Sequence, residues 1–266
     1  MIVYGLIGHP LGHSFSKAYF TAKFEREGLD CRYENFDLLA VEEVTELFHS
    51  HTEIMGCNVT APYKEKILDY IDDYDAIVAE IKSVNTLKRM PDGRIVGFNT
   101  DVVGFDTLFE RAFQERTPQQ ASLSDVSALV LGTGGASKAV QYVLRQRGIP
   151  YQLVSRNPLK GDYVYGTTGA LLTPEVIKDH ALIINTTPLG TYPDIEAAPA
   201  LPYDAITSGH LLIDLIYNPE ETRFLREGRL RGAHTCNGLT MLHSQAEASW
   251  QIWQTEQPSP QQSKTR

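Results

Sequence analysis

Ala128-Leu129-Val130-Leu131-Gly132-Thr133-Gly134-Gly135-Ala136-Ser137 is an apolar run of strand length that ends in a glycine-rich turn. Helix-like sequence, 137–147, comes directly after it. Strand, glycines and helix N-terminus, in that order, are what a phosphate-bearing dinucleotide needs. The first glycine permits a tight turn, and the second lets backbone N–H groups approach a pyrophosphate. The helix N-terminus adds partial positive charge where the phosphates lie. Gly132, Gly134, Gly135 and Ala136 are therefore candidate cofactor contacts. The third glycine of the G-x-G-x-x-G spacing is replaced by Ser137, which is still small enough for close helix–strand packing. A purely structural strand–turn–helix is the competing reading.

The next strand-like run, 151–154, sharpens this. A site for NAD usually carries an acid about 20 residues beyond the glycines, where it accepts from the ribose 2′-OH. Here the chain reads Ser155-Arg156-Asn157-Pro158-Leu159-Lys160, with two cations and no acid. A guanidinium suits a 2′-phosphate, because its planar fork pairs with phosphate oxygens and stacks on adenine. Ser155, Arg156 and Lys160 thus point to NADP(H) rather than NAD, the alternative being a solvated Arg156.

The chain has 266 residues, 42% hydrophobic and 21% charged, as in an ordinary globular protein with room for two modest domains. No apolar run approaches a membrane span, and the N-terminus lacks the basic region of a signal peptide. Cys31, Cys57 and Cys236 are too few and scattered for a disulfide framework or zinc site, so a cytoplasmic location is expected. The histidines, His49 and His51 included, lack metal-ligand context, and no metal is expected. A net charge of −9 without a basic patch speaks against nucleic acid, and nothing points to a membrane. An anionic small ligand remains compatible, since local donors decide its binding within a Debye length of about 8 Å.

Elsewhere the pattern alternates strand-like and helix-like segments: strands at 2–8, 31–38 and 56–60, helices at 16–27 and 41–51. Runs 84–89 and 94–98 flank the turn Pro91-Asp92-Gly93, a hairpin signal. A helix is expected over 101–113 and a linker over 114–124. Runs 182–185 and 211–216 read as parallel strands covered on both faces. A last helix spans 237–253, with Leu239, Leu242 and Ala246 on one face. The expected architecture is α/β, with two α/β domains and a cleft between them. A substrate domain with a mostly parallel sheet covers 1–100 and is completed by a helix in 237–256. A Rossmann-like nucleotide domain covers 101–236, and 257–266 is a disordered tail.

Polar residues cluster in the first domain. Asn58 and Thr60 alternate with apolar neighbours at a strand end, and Lys64 comes after Pro62 at or near a helix start. There a dipole would ease release of its proton, although a plain surface lysine fits as well. Asp101 closes Asn99-Thr100-Asp101, either as a helix N-cap or with a second role. Asn85 adds an amide. Ser14 and Ser16 stand at a helix start, where hydroxyls cap the helix or bind a carboxylate.

Together these stretches resemble the shikimate dehydrogenase (shikimate/quinate dehydrogenase) family over almost the whole chain. The matching motifs are His13-Ser14-Phe15-Ser16, Asn58 to Glu65, Val84-Asn85-Thr86, Asn99-Thr100-Asp101, Gly132 to Ser137, Asn185-Thr186-Thr187-Pro188-Leu189-Gly190 and Asn237-Gly238-Leu239-Thr240-Met241-Leu242. The resemblance implies reduction of 3-dehydroshikimate to shikimate with NADPH, in aromatic amino acid and chorismate biosynthesis. It implies Lys64 and Asp101 as the catalytic pair, and Ser14 and Ser16 on the substrate carboxylate. It further implies substrate contacts from Asn58, Thr60, Asn85, Tyr217 and Gln245. Thr186, Thr187, Ile216 and Gly238 would lie along the nicotinamide. The expected partner is the small substrate alone, in a monomer or homodimer.

Two residues depart from the family's pattern: Lys17 where proline often succeeds Ser-x-Ser, and His9 where asparagine precedes Pro10. Lys17 is expected to face solvent and His9 to serve as a structural hydrogen-bonder. Two other readings remain: an NAD-dependent quinate/shikimate dehydrogenase, opposed by Arg156 and Lys160, and a non-catalytic NADP-binding sensor, opposed by the presence of both Lys64 and Asp101.

Overall fold

The structure, a computed structural model, describes residues 1–12, 15–115, 126–165 and 171–255. It divides into two compact units, one of Met1–Thr100 with the segment from Ala246, the other Asp101–Gln245.

The first unit is built on a sheet whose strands are β1 (Ile2–Gly8), β2 (Cys31–Asp37), β3 (Ile54–Val59), β4 (Asp73–Tyr74), β5 (Thr86–Arg89) and β6 (Ile95–Phe98), in the order β2-β1-β3-β5-β6-β4. Only β5 runs against the others, pairing antiparallel with β3 and β6. The β5–β6 hairpin turns at Gly93, whose φ of 87° is one that a side chain would oppose.

Alternation along β1 sets the layers, because successive side chains of a strand face opposite sides. Val3 and Ile7 enter a core with Val44 and Phe48 of α2 (Glu43–Ser50) and with Val78 of the short α3 (Ala76–Ile81). Tyr4 and Leu6 enter a second core with Phe20 and Phe24 of α1 (Phe15–Glu27) and with Ala246 and Trp253 of α8 (Leu239–Gln254). Aromatic rings dominate this second core. Tyr4 stacks on Trp253 at 4.6 Å between centroids, and Phe20 on Tyr33 at 4.8 Å. The indole N–H of Trp253 donates to the Leu87 carbonyl at 2.9 Å. Beside it, the buried Lys88 ammonium donates to the Ile252 carbonyl at 2.7 Å and to that of Thr255, supplying a cation where the helix exposes carbonyls. The last helix is thus fastened to β5 by an aromatic N–H and an ammonium.

The second unit carries β7 (Ala128–Leu131), β8 (Tyr151–Ser155), β9 (Tyr163–Val164), β10 (Leu182–Asn185), β11 (Leu211–Asp214) and β12 (His234–Cys236), in the order β12-β11-β10-β7-β8-β9. Every pairing is parallel. All residues of β7, β10 and β11 are buried, as their unbroken apolar runs require. Helix α4 (Asp101–Glu115) opens this unit, and α5 (Gly135–Gln146) links β7 to β8. Helices α6 (Pro174–Lys178) and α7 (Arg223–Leu230) precede β10 and β12. The chain leaves β7 toward β8 but returns to β10 on the other side, so the strand order reverses between β7 and β10. Ligands of open α/β sheets bind at such a reversal.

The structure adjusts several expected elements. Helix α5 begins at Gly135 rather than 137, with Gly134 as its N-cap. Strand β11 stops at Asp214, two residues short of the expected end. Leu239, placed by periodicity on a buried face, is 43% exposed, and Met241 is buried instead. The unit division falls inside α8, after Gln245, where the expected boundary was 236. The expected linker (114–124) and tail (257–266) lie wholly or mostly outside the described residues. None of the helices among the described residues is long and apolar enough to cross a membrane.

A substitution tests the α8 anchor. A Cβ at Gly56 would stand 2.5 Å from Trp253 Cδ1 and 2.8 Å from the Leu87 oxygen. Gly56→Ala should therefore displace the indole and cost about 1–3 kcal/mol, as overpacking does. Urea unfolding followed by tryptophan fluorescence should show a lower midpoint and a changed native emission.

Candidate active site

One end of the first sheet gathers the polar residues. The carboxyl ends of β1, β3 and β6 meet the amino end of β5 there, fixed by the registers Ile7↔Val59, Asn58↔Thr86 and Thr86↔Phe98. Asn58, Asn85, Thr86, Thr100 and Ser249 are all buried at this end. A buried amide or hydroxyl is tolerated only when its partners are supplied, and here they supply one another. The Asn58 amide donates to Ser249 Oγ at 2.8 Å, and its carbonyl accepts from the Tyr33 hydroxyl at 2.9 Å. Ser249 Oγ also bonds Thr86 and Thr100, at 2.9 and 3.1 Å. Asn85 receives the Thr100 backbone N–H on Oδ1 at 2.7 Å and donates from Nδ2 to Thr100 Oγ1 at 3.0 Å. Ser16, in the first turn of α1, bonds Tyr33. Burial of that phenol holds its proton well above the usual tyrosine range, so Tyr33 acts here as a hydrogen-bond donor.

Of the remaining expected site residues, Thr60 and Lys64 belong to the same unit as this network, and Asp101, Tyr217 and Gln245 to the other. Thr60 lies just beyond β3, half-buried, with its N–H bonded to the Ile7 carbonyl at 2.9 Å. Lys64 is half-buried, and its carbonyl accepts from Val84 N–H at 2.7 Å, tying it to the segment entering β5. The helix start expected at or near Lys64 is a 3-10 one with Glu65 as its N-cap. Beyond Glu65 the chain winds into a short 3-10 helix, Lys66–Tyr70, that breaks into extended backbone at Ile71. Asp101 continues directly from Thr100, is 5% exposed, and is the first residue of α4. Ser14 lies outside the described residues. Gln245, in α8, packs its Cβ near Gly104 and donates to the Leu242 carbonyl at 3.0 Å. Tyr217 is half-buried, and burial raises its phenol above the ordinary range.

The departures from the family's pattern also find partners. His9 Nδ1 bonds Asp37 at 2.6 Å, and Asp37 accepts the Leu11 N–H at 3.1 Å. His9 is thus a brace of the loop after β1. Lys17 is half-exposed and pairs with Glu34 at 2.8 Å.

In the second unit, the carboxyl ends of β7, β8, β10 and β11 hold the other set. Gly132 has φ 108°, and a Cβ there would lie 2.7 Å from Thr186 Oγ1, so conformation and space both demand glycine. Ser137 Oγ donates to the Gly132 carbonyl at 2.7 Å and closes the turn on itself. Gly134 caps α5 with no side-chain bond, and a Cβ there would meet nothing within 4 Å. The first N–H groups of α5 therefore point from an open, uncapped turn with room for phosphate. Gly135 and Ala136 continue that turn. Ser155 ends β8 and accepts the Asn157 N–H at 3.1 Å, shaping the turn that exposes Arg156 and Lys160. Among the described residues neither of these cations has an ion-pair partner. Thr186 donates to the Leu131 carbonyl at 2.7 Å, beside the glycine turn. Thr187 hangs on Asn185, and Ile216 and Gly238 are joined by a backbone bond of 3.0 Å. These groups fit a dinucleotide that carries an extra phosphate.

Sequence reasoning passed over Asp214, Tyr33 and Ser249. Asp214 lay inside a run read as an apolar strand, and a carboxylate closing such a run was the available signal. Ser249 falls between Ala246 and Trp253 on the buried stripe of α8, where a hydroxyl must find partners. No group of three or more His, Cys, Asp or Glu among the described residues could hold a metal.

An α/β protein with a Rossmann-like second unit, its glycine turn open to a dinucleotide, is the class these features define. A sequence model of the shikimate dehydrogenase substrate binding domain matches residues 6–87. Shikimate dehydrogenase (NADP(+)) of Methanococcus maripaludis strain C6 is 36% identical, with 96% of this chain and 92% of the relative covered. The solved shikimate dehydrogenase 1 of Peptoclostridium difficile superposes with a TM-score of 0.77 at 35% identity, covering 97% and 94% of the two chains. Shikimate 5-dehydrogenase of Thermus thermophilus, solved with NADP(H) and shikimate, gives 0.81 at 30% identity over 98% and 96%. The chain belongs to the shikimate dehydrogenase family.

Asp214 yields a pH test. It is fully buried, and burial pushes its carboxyl up to about 6 despite bonds from Thr222, Ile216 N–H and Asn185. The folded state then holds this proton more tightly than the unfolded chain does. Its contribution is fully present below the unfolded value, near 4, and is lost as pH rises through about 6. A shift of this size corresponds to about 3 kcal/mol. Relative to Asp214→Asn, the native protein should lose stability between pH 4 and 7, read as a widening gap in melting temperature.

Proposed function

We propose that this chain catalyses the NADPH-linked reduction of 3-dehydroshikimate to shikimate. The carrying observation is the meeting of Asn58, Thr60, Asn85 and Thr100 at one sheet end, with Lys64 bonded to the strand entering it and Asp101 next in sequence. When bound, NADP(H) supplies or takes up the hydride. Gly132, Gly134, Gly135 and Ala136 would hold its pyrophosphate, and Ser155, Arg156 and Lys160 its 2′-phosphate. Thr186, Thr187, Ile216 and Gly238 would line the nicotinamide.

The protein's own chemistry is proton management. Reduction of a ketone builds negative charge on its oxygen, and a positioned acid lowers the barrier by meeting that charge as it grows. Lys64 delivers this proton in our reading. Asp101 orients the ammonium in the same reading. Ser14 and Ser16 hold the substrate carboxylate, with Asn58, Thr60, Asn85, Tyr217 and Gln245 on the ring hydroxyls or carboxylate. Because the amides of Asn58 and Asn85 are already bonded within the protein, they present a fixed donor–acceptor pattern to the ligand. The absence of an acid at the end of β8 supports NADP over NAD, and the scattered free cysteines support a cytoplasmic setting for a monomer or homodimer.

Absorbance of NADPH with 3-dehydroshikimate, and of NADP+ with shikimate or quinate, tests the reading directly. Lys64→Ala should lower kcat by about 100-fold or more while KM changes only severalfold, the usual worth of a general acid. Near-normal turnover in that variant sinks the assignment. Arg156→Ala should raise KM for NADP+ by about 10- to 100-fold, the worth of a charged hydrogen bond, and leave kinetics with NAD+ unchanged. An equal loss with both cofactors would show that Arg156 does not read the phosphate.

A further inference from the structure

Asp214 is the only carboxylate among the described residues whose side chain joins the ends of two adjacent central strands of the second sheet. It closes β11, is 0% exposed, and lies beside the equally buried Asn185 that closes β10. Its Oδ1 accepts from Asn185 Nδ2 at 3.0 Å and from the Ile216 N–H at 3.0 Å. Its Oδ2 accepts from the Thr222 hydroxyl at 2.6 Å, and Thr222 caps α7. Asn185 passes the connection on, since its Oδ1 receives both the N–H and the hydroxyl of Thr187, at 3.0 and 2.7 Å.

We propose that Asp214 is a positioning residue that locks the loop after β10 to the loop after β11, so that Thr187 and Ile216 are presented to the nicotinamide as one rigid piece. The proposal rests on the NADP(H) reading above. Burying a carboxylate is costly, and a packed apolar residue would serve stability as well or better. What an apolar residue cannot do is accept from three donors on three successive segments. Without those bonds Asn185 and the Ile216 N–H would be buried unsatisfied, and each loop would relax separately.

The tie also tolerates protonation. Both Oδ1 partners are nitrogen donors, so a proton settles on Oδ2, where the carboxyl donates to Thr222 Oγ1 instead of accepting from it. Burial favours that neutral form at mildly acid pH. Among the described residues no charged side chain bonds Asp214; a titratable group whose field it shares is the partly buried Tyr203 phenol of the 3-10 turn Tyr203–Ala205, which stays neutral across this range. The lock is therefore geometric rather than ionic, and asparagine should preserve it.

Asp214→Ala and Asp214→Asn, in the full chain, test this by two readouts. Hydrogen exchange, which needs no cofactor, should accelerate by about tenfold in both 185–190 and 215–218 for Asp214→Ala, the loss of about one net hydrogen bond per loop. Strand 128–131 should keep its protection, and Asp214→Asn should restore both loops. In steady-state assays Asp214→Ala should raise KM for NADP+ about tenfold with KM for shikimate nearly unchanged, again reversed by asparagine. If Asp214→Ala does not fold, Asn185→Ala cuts the same tie from β10 and should loosen 185–190 with the same cofactor-selective rise in KM. Exchange that rises in neither loop, in one loop only for Asp214→Ala, or equally throughout the unit overturns the proposal, as does an asparagine variant as impaired as alanine. Should the native protein fail to turn over shikimate with NADP+, the proposed function falls while the exchange result still decides the lock.

Discussion

The side-chain amide of Asn58 ties together three elements of the first unit. Taken out of water, an amide costs several kcal/mol unless its donors and acceptor are matched. Asn58 matches them across β2, β5 and α8, through Tyr33, Thr86 and Ser249. That requirement fixes the register of β3 against β5 and the rotation of α8 over the sheet. It also holds Thr100, through Ser249, at the sheet end where Thr60 stands. The arrangement that satisfies these buried polar groups is the one that gathers them at a single sheet end.

The second unit solves a different problem with similar means. Its sheet is apolar on both faces, so everything specific happens where the strands stop. There the chain uses glycine where backbone must come close, as at Gly132, and buried side-chain acceptors where loops must be held, as at Asn185 and Asp214. Neither device adds an exposed charge. Arg156 and Lys160 are left to supply charge at the rim, on a turn whose shape is set by the Ser155 hydroxyl and the Asn157 side-chain carbonyl oxygen.

Much of this was legible in the chain because the relevant signals are local. The glycine turn, the apolar strands and the Pro91-Asp92-Gly93 hairpin each announce themselves within ten residues. The residues expected on the substrate side came as a set from resemblance, not from spacing. What escaped were bonds that bridge long separations: Asn58 and Ser249 stand 191 residues apart, and no pattern in either neighbourhood names the other. Elements too short to show a period, such as β4, β9 and α6, were missed for the same lack of a window. The helix start expected at or near Lys64 is only a 3-10 turn that ends before Ile71, a distinction the residue pattern does not carry. Asp214 was hidden by its apolar neighbours, whose burial is what makes its carboxyl informative.

Ser137, which stands where a third glycine is usual, has a bearing on the thermodynamics of cofactor capture. Its hydroxyl fastens the turn to itself through the Gly132 carbonyl, and the backbone of that carbonyl's residue is held in turn by a bond from its N–H to Val154. A loop held at both ends has surrendered its conformational entropy during folding, and little is left to lose when a ligand arrives. Association at this turn should accordingly have a small entropic penalty from the protein, leaving the flexible dinucleotide as the partner that becomes ordered. The substitution that looks like a weakened fingerprint makes the receptor stiffer than an all-glycine turn would be.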